Sequence, residues 1–153
     1  MAKSLGVDEE HYLDAFAMEP GKWISDKTKG LGVDIFFECI GSIESLTTGV
    51  AAASCSGVVC AVGNPHSDMA LPREIYWKIL RHQLTLVGTW NSSFTHEPDD
   101  DWHYVLGRLQ QGGISPETLI THKYPLSDIV GGFEIMLDKR EEYVKVMAEI
   151  TVE

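Results

Sequence analysis

No G-x-G-x-x-G occurs anywhere in the sequence, so the glycine loop that seats a pyrophosphate at a helix start is absent. Gly30-Leu31-Gly32 comes nearest, but it precedes a strand-like run and opens no helix. Cations are also scarce: 12 Lys and Arg against 23 Asp and Glu give a formal charge of −11. That balance disfavours nucleic acid and anionic membrane surfaces as partners. No apolar run approaches the ~20 residues needed to span a bilayer, and residues 1–8 lack the apolar stretch of ~7–15 residues of a secretory signal. A cytoplasmic protein is therefore expected. Cysteine is limited to Cys39, Cys55 and Cys60 with no C-x-x-C, which argues against a disulfide framework and gives little support to a structural zinc site. Buried, reduced thiols are the expectation. No H-E-x-x-H and no G-x-S-x-G appears, so zinc-protease and esterase chemistry have no motif.

What is present has a regular order. Val33–Ile40 is an apolar, strand-like run that ends in Gly41. A second run, Val58–Val62, ends in Gly63-Asn64, and a third, Leu84–Val87, ends in Gly88-Thr89. Between them lie two helical patterns. Ser42 can cap the first, with Ile43, Leu46, Val50 and Ala53 at 3–4 spacing. Pro72 suits the first position of the second, which sets Ile75, Ile79 and Leu80 on one face. Strand–helix–strand–helix–strand predicts an α/β fold with a parallel sheet, and the nearly continuous apolar strands predict that both sheet faces are covered. Ala2–Gly6 reads as a last helical turn, and Gly21–Lys29 as a short helix that Gly30 stops.

Beyond Asn91 the pattern changes. Trp102, Val105, Leu106 and Leu109 mark a helix ended by Gly112-Gly113. A strand is expected over Leu119–Tyr124, then a helix capped by Ser127 with Ile129, Phe133, Met136 and Leu137 inward, then a strand over Tyr143–Ile150. His96-Glu97 and Asp99-Asp100-Asp101 admit an oxygen-rich metal site or, more simply, the acidic start of a helix. In open parallel sheets ligands bind beyond the carboxyl ends of the strands. That singles out Cys39-Ile40-Gly41, Val62-Gly63-Asn64 and Gly88-Thr89-Trp90-Asn91. Lys145, the one cation of the last strand, either faces solvent or reaches a phosphate.

The segments Gly30–Gly41 (G-L-G-V-D-I-F-F-E-C-I-G), Ser56–Gly63 (S-G-V-V-C-A-V-G) and Ile79–Asn91 (I-L-R-H-Q-L-T-L-V-G-T-W-N) resemble the zinc-containing medium-chain dehydrogenases. Within them the match is to the sorbitol and galactitol-1-phosphate dehydrogenase branch, and Trp102–Ile150 is similar to that family's C-terminus. The resemblance implies an incomplete Rossmann-type doubly wound sheet over residues 1–91, with the family's first two strands not included. Residues 92–153 would be a connecting helix and the C-terminal part of the catalytic domain. It implies that Ile40 packs on the adenine and that Val62 and Asn64 lie beside the nicotinamide. Thr89 and Asn91 hold the carboxamide, and Lys145 reaches the pyrophosphate. Trp90 and Asn64 border the substrate cleft, and Gly41 and Gly63 belong to the same loops.

The implied activity is NAD- and zinc-dependent oxidation of a secondary alcohol of a polyol or polyol phosphate, by a homodimer or higher oligomer. The glycine loop, the zinc ligands, the proton relay and the residue that separates NAD from NADP all lie upstream of Met1 in that family's pattern. NADP therefore stays open, no catalytic or metal-binding residue is expected here, and the chain alone is expected to be inactive. The other reading of the residues is a non-catalytic nucleotide-binding or assembly module, because a free strand edge near Val33–Ile40 recruits partners.

Overall fold

Apolar β-branched and aromatic residues over Val33–Glu38 form strand β1, which opens the sheet of the first unit. The computed structural model describes residues 2–150, and the chain divides into two compact units, residues 1–91 and 92–153. In the first unit, helix α1 (Pro20–Lys27) starts on Glu19, whose carboxylate accepts the amides of Gly21 at 2.8 Å and Lys22 at 2.5 Å. Helix α2 (Ile43–Ala52) starts on Ser42, whose Oγ accepts the Ser45 amide at 3.1 Å. Strand β2 (Ala53–Ala61), helix α3 (Arg73–Arg81) and strand β3 (Thr85–Gly88) complete the unit. The strands pair in parallel in the order β1-β2-β3, with Phe36 opposite Val59 and Val59 opposite Leu86. The expected α/β fold with a parallel sheet is the one observed. Ala2–Leu5 forms a 3-10 turn followed by Gly6 at a φ of 82°, which suits a glycine stop.

Three differences from the sequence reading have physical causes. Strand β2 begins at Ala53, not Val58, because a bulge lies between the Val33–Ala53 and Ile35–Val58 pairs, with Ser56 at a φ of 61°. Pro72 caps α3 from outside its first turn, and Leu80 projects to solvent while Ile75 and Ile79 face the core. The third concerns the sheet. Phe36 and Val59 point to the face where α2 and α3 pack, and the core forms there from Val50, Ala53 and Val59 with Phe36, Leu46, Ile75, Ile79 and Leu84. Alternation along the strands puts Ile35, Phe37, Val58, Cys60 and Val87 on the opposite face. Among the described residues no element of this unit covers that face, and Phe37 is 63% exposed. Right-handed crossovers that step in one direction along a sheet place every helix on the same side, which is why α2 and α3 share a face. The cysteines follow this plan: Cys39 and Cys55 are exposed and Cys60 is half-buried, so the expected burial does not hold.

In the second unit, helix α4 (Asp101–Gln110) precedes strand β4 (Ile120–Pro125), helix α5 (Ile129–Asp138) and strand β5 (Lys145–Glu149). β4 and β5 pair in parallel, so α5 is again a crossover. Gly132 is the buried residue of α5, and a Cβ there would stand 3.0 Å from Val146 Cγ1 and 3.2 Å from Tyr124 Cδ2. The helix approaches the strands through its glycine side. Phe133 and Leu137, expected inward, therefore point out.

Asp100, the N-cap of α4, is buried, and its carboxylate accepts the amides of His103 (2.9 Å), Thr95 (2.8 Å) and His96 (3.1 Å) and meets His103 Nδ1 at 2.8 Å. This bears out the helix-start reading of the acidic run. Burial raises the Asp100 pKa, but the hydrogen bonds from His103 and Thr95 outweigh it and hold the carboxyl down at about 2, against an ordinary 3.8. A depressed carboxyl stabilises the fold above its unfolded pKa, and that contribution disappears as pH falls through the folded value. Asp100→Ala is expected to lower the thermal midpoint of this unit by about 5 °C at neutral pH. In melts at decreasing pH, the gap to wild type should close between 3.8 and about 2. A gap unchanged at pH ~2 would refute the ionised cap.

Candidate functional site

The site residues expected from sequence gather at one edge because parallel strands deliver all their carboxyl ends to the same side. β1 runs into Ile40 and Gly41, β2 into Val62, Gly63 and Asn64, and β3 into Thr89, Trp90 and Asn91. Backbone bonds stitch these ends together: Thr89 N–H donates to the Ala61 carbonyl at 3.0 Å, and Val62 and Gly63 donate to the Glu38 carbonyl at 2.8 and 2.9 Å. Ile40 is 64% exposed, Val62 41% and Trp90 73%, so an apolar lining faces open solvent beside the polar Asn64, Thr89 and Asn91. Asn91 has a φ of 52°, which an asparagine tolerates better than most residues. The eight residues of the first unit thus share one edge. Lys145 opens β5 in the second unit, exposed.

The three strand-end glycines do different things. Gly41 has a φ of 79°, and a Cβ on it would overlap the Asn64 carbonyl. A Cβ on Gly63 would overlap the Gly41 amide and the Ile40 backbone. These two let one loop lie against the other, backbone on backbone. Only Gly88 has open space where its side chain would be.

Glu38 is the buried acid at this edge that the sequence reading missed. It is 2% exposed, at the last position of β1. Its Oε1 accepts the amides of Ile40 and Gly41, both at 2.8 Å. Burial pushes the Glu38 carboxyl up, but the Gly41 and Ile40 amides, the Ser45 hydroxyl and the Ser42 amide outweigh it and hold the pKa below 4.5. The carboxylate also lies at the amino end of α2, where the helix dipole favours negative charge. The sequence held a signal for it: an acid placed directly after the apolar run Ile35-Phe36-Phe37, three residues before a glycine.

Among the described residues, no group of three or more His, Cys, Asp or Glu is arranged to hold a metal ion, so they do not fit a zinc site. No helix among them is long and apolar enough to cross a membrane.

Parallel strands joined by helices, with the connecting loops collected at one sheet edge, define a Rossmann-type α/β unit. The chain belongs to the zinc-binding dehydrogenase family, whose pattern matches residues 1–111. It is 30% identical over 129 residues to a sorbitol dehydrogenase of Arabidopsis thaliana, a match that covers 83% of this chain and 33% of that protein. It is also 30% identical to an L-threonine 3-dehydrogenase of Thermococcus kodakarensis, over 96% of this chain and 37% of that one. The fold is that of galactitol-1-phosphate dehydrogenase from Escherichia coli, with a TM-score of 0.80 at 20% identity, over 95% of this chain and 42% of that structure. The chain spans 33–39% of the length of the curated relatives it matches.

Proposed function

We propose that this chain supplies the adenine and nicotinamide side of an NAD cradle in an oxidoreductase acting on a secondary alcohol of a polyol or polyol phosphate. One observation carries the reading: three parallel strand ends in a zinc-binding dehydrogenase chain bring Ile40, Val62, Asn64, Thr89, Trp90 and Asn91 to a single edge. Ile40 offers the adenine an apolar surface. Val62 and Asn64 flank the nicotinamide, and Thr89 and Asn91 offer main-chain groups to its carboxamide. Gly41 and Gly63 shape the loops, and Lys145 is the cation for the pyrophosphate. Trp90 and Asn64 border the alcohol. When bound, NAD accepts the hydride that leaves the carbinol carbon. NADP stays open as the alternative to NAD. The sorbitol dehydrogenases among the relatives support the polyol class. The described residues do not fit a zinc site, and we expect the chain alone to be inactive.

The residues 1–91 serve here as a cofactor-binding unit, and 92–153 as a connecting helix with part of a catalytic domain. The exposed β3, with all four residues solvent-facing, is the edge through which two copies pair. Added NAD should shift the backbone amide resonances of residues 40–41, 62–64 and 89–91 in the isotope-labelled chain. Shifts confined to α3 or α4 would remove the cradle from this edge. Turnover of sorbitol by the purified chain with NAD and zinc would refute the inactivity, and a monomer in light scattering would refute the pairing.

A further inference from the structure

We infer that Glu38 is the positioning residue of the carboxyl-edge cleft, fixing the loop of Ile40 and Gly41 to the loop of Val62, Gly63 and Asn64 as one piece. The inference rests on the reading of that edge as the cofactor site and adds the residue that sets its width.

Glu38 and Asp100 are the buried acidic side chains among the described residues. The bonds of Asp100 are spent on the start of α4 and the loop before it. Those of Glu38 reach two different strand ends. The side chain holds the β1 loop through the Ile40 and Gly41 amides at 2.8 Å. The main-chain carbonyl of the same residue holds the β2 loop through the Val62 and Gly63 amides at 2.8 and 2.9 Å. Ile40 and Gly41 precede Ser42, the N-cap of α2, so these side-chain bonds hold the loop and not the first turn of the helix, while the carbonyl bonds belong to the main chain of position 38. The two loops also have no slack between them, since a Cβ on either Gly41 or Gly63 would overlap the other loop's backbone. Moving the carboxylate therefore moves Ile40 and Gly41 against Gly63 and Asn64. The side chains proposed to face adenine and nicotinamide then leave their places together.

The test uses two variants. Glu38→Gln keeps the length and one acceptor oxygen but sets an NH2 against the Ser42 and Ser45 donors. Glu38→Asp keeps the charge but is one methylene short. In both, hydrogen exchange at the Ile40, Gly41, Val62 and Gly63 amides is expected to accelerate together by about tenfold. The ladder amides of Phe36 and Val59 should keep their wild-type rates. Uniform acceleration across β1 and β2 would make Glu38 a stabilising residue only and overturn the inference, as would acceleration limited to Ile40 and Gly41. A second measurement separates this from the cofactor reading. NAD binding by calorimetry should weaken about tenfold in Glu38→Gln if the cleft width matters. Equal NAD affinity in wild type and variant would overturn the positioning role. A wild type that binds no NAD would overturn the cofactor reading, while coupled exchange in the four amides would still establish the joint.

Discussion

Gly41→Ala is expected to lower the stability of the first unit by about 2–5 kcal/mol, enough to remove much of the ~5–15 kcal/mol that holds a typical domain. Two costs combine. A φ of 79° places a side chain in the left-handed region, at roughly 1–2 kcal/mol. The new methyl would also overlap the Asn64 carbonyl, and overpacking against fixed backbone costs roughly another 1–3 kcal/mol. Gly63→Ala has no left-handed strain and should cost about 2–3 kcal/mol from overlap with Gly41 and Ile40 alone. Gly88→Ala meets nothing and should change stability by no more than about 0.5 kcal/mol. Urea unfolding followed by circular dichroism ranks the three. If Gly41→Ala unfolds at the wild-type midpoint, the two loops do not touch as described.

The neighbouring residues Phe36 and Phe37 should respond to substitution in opposite ways. Phe36 lies under α2, against the core of Val50 and Val59, and a Cβ on Gly49 would overlap its ring. Phe36→Ala removes that packing and leaves a cavity. A fully buried Phe→Ala costs roughly 3–5 kcal/mol, and for this half-buried ring about 2–3 kcal/mol is expected. Phe37 stands on the uncovered face, 63% exposed, and Phe37→Ala should cost no more than about 0.5 kcal/mol. The same unfolding curves decide it. Equal losses at both positions would mean that both faces of the sheet are packed in solution.

The parallel α/β order could be read in the sequence because its signals are local. Ser42 before an apolar 3–4 pattern places α2, and the glycines after three apolar runs place the strand ends. The start of β2 could not be read, because Ser54-Cys55-Ser56-Gly57 looks like a loop and enters the sheet only through a bulge held by partners far along the chain. The orientation of α5 was hidden for a different reason. Its sequence is apolar on several sides, and the contact falls on Gly132, the residue that carries no hydrophobic signal. Apolar runs also cannot say which neighbour covers each face, so Phe36 and Phe37 look alike in sequence. At the candidate site the strand ends followed from the parallel-sheet rule, and the role of each lining residue came from the resemblance. Glu38 stayed hidden because its role depends on a pair of loops that only the sheet brings together.

The contact between Gly41 and Gly63 divides the edge into a frame and a surface. The frame consists of main chain and one buried carboxylate, so it asks nothing of the side chains of Ile40, Val62 or Asn64. Those three positions can change their chemistry without disturbing the rigid seam beneath them. An edge built this way is free to be re-specified for a new ligand one residue at a time, with the folding of the sheet left unaltered.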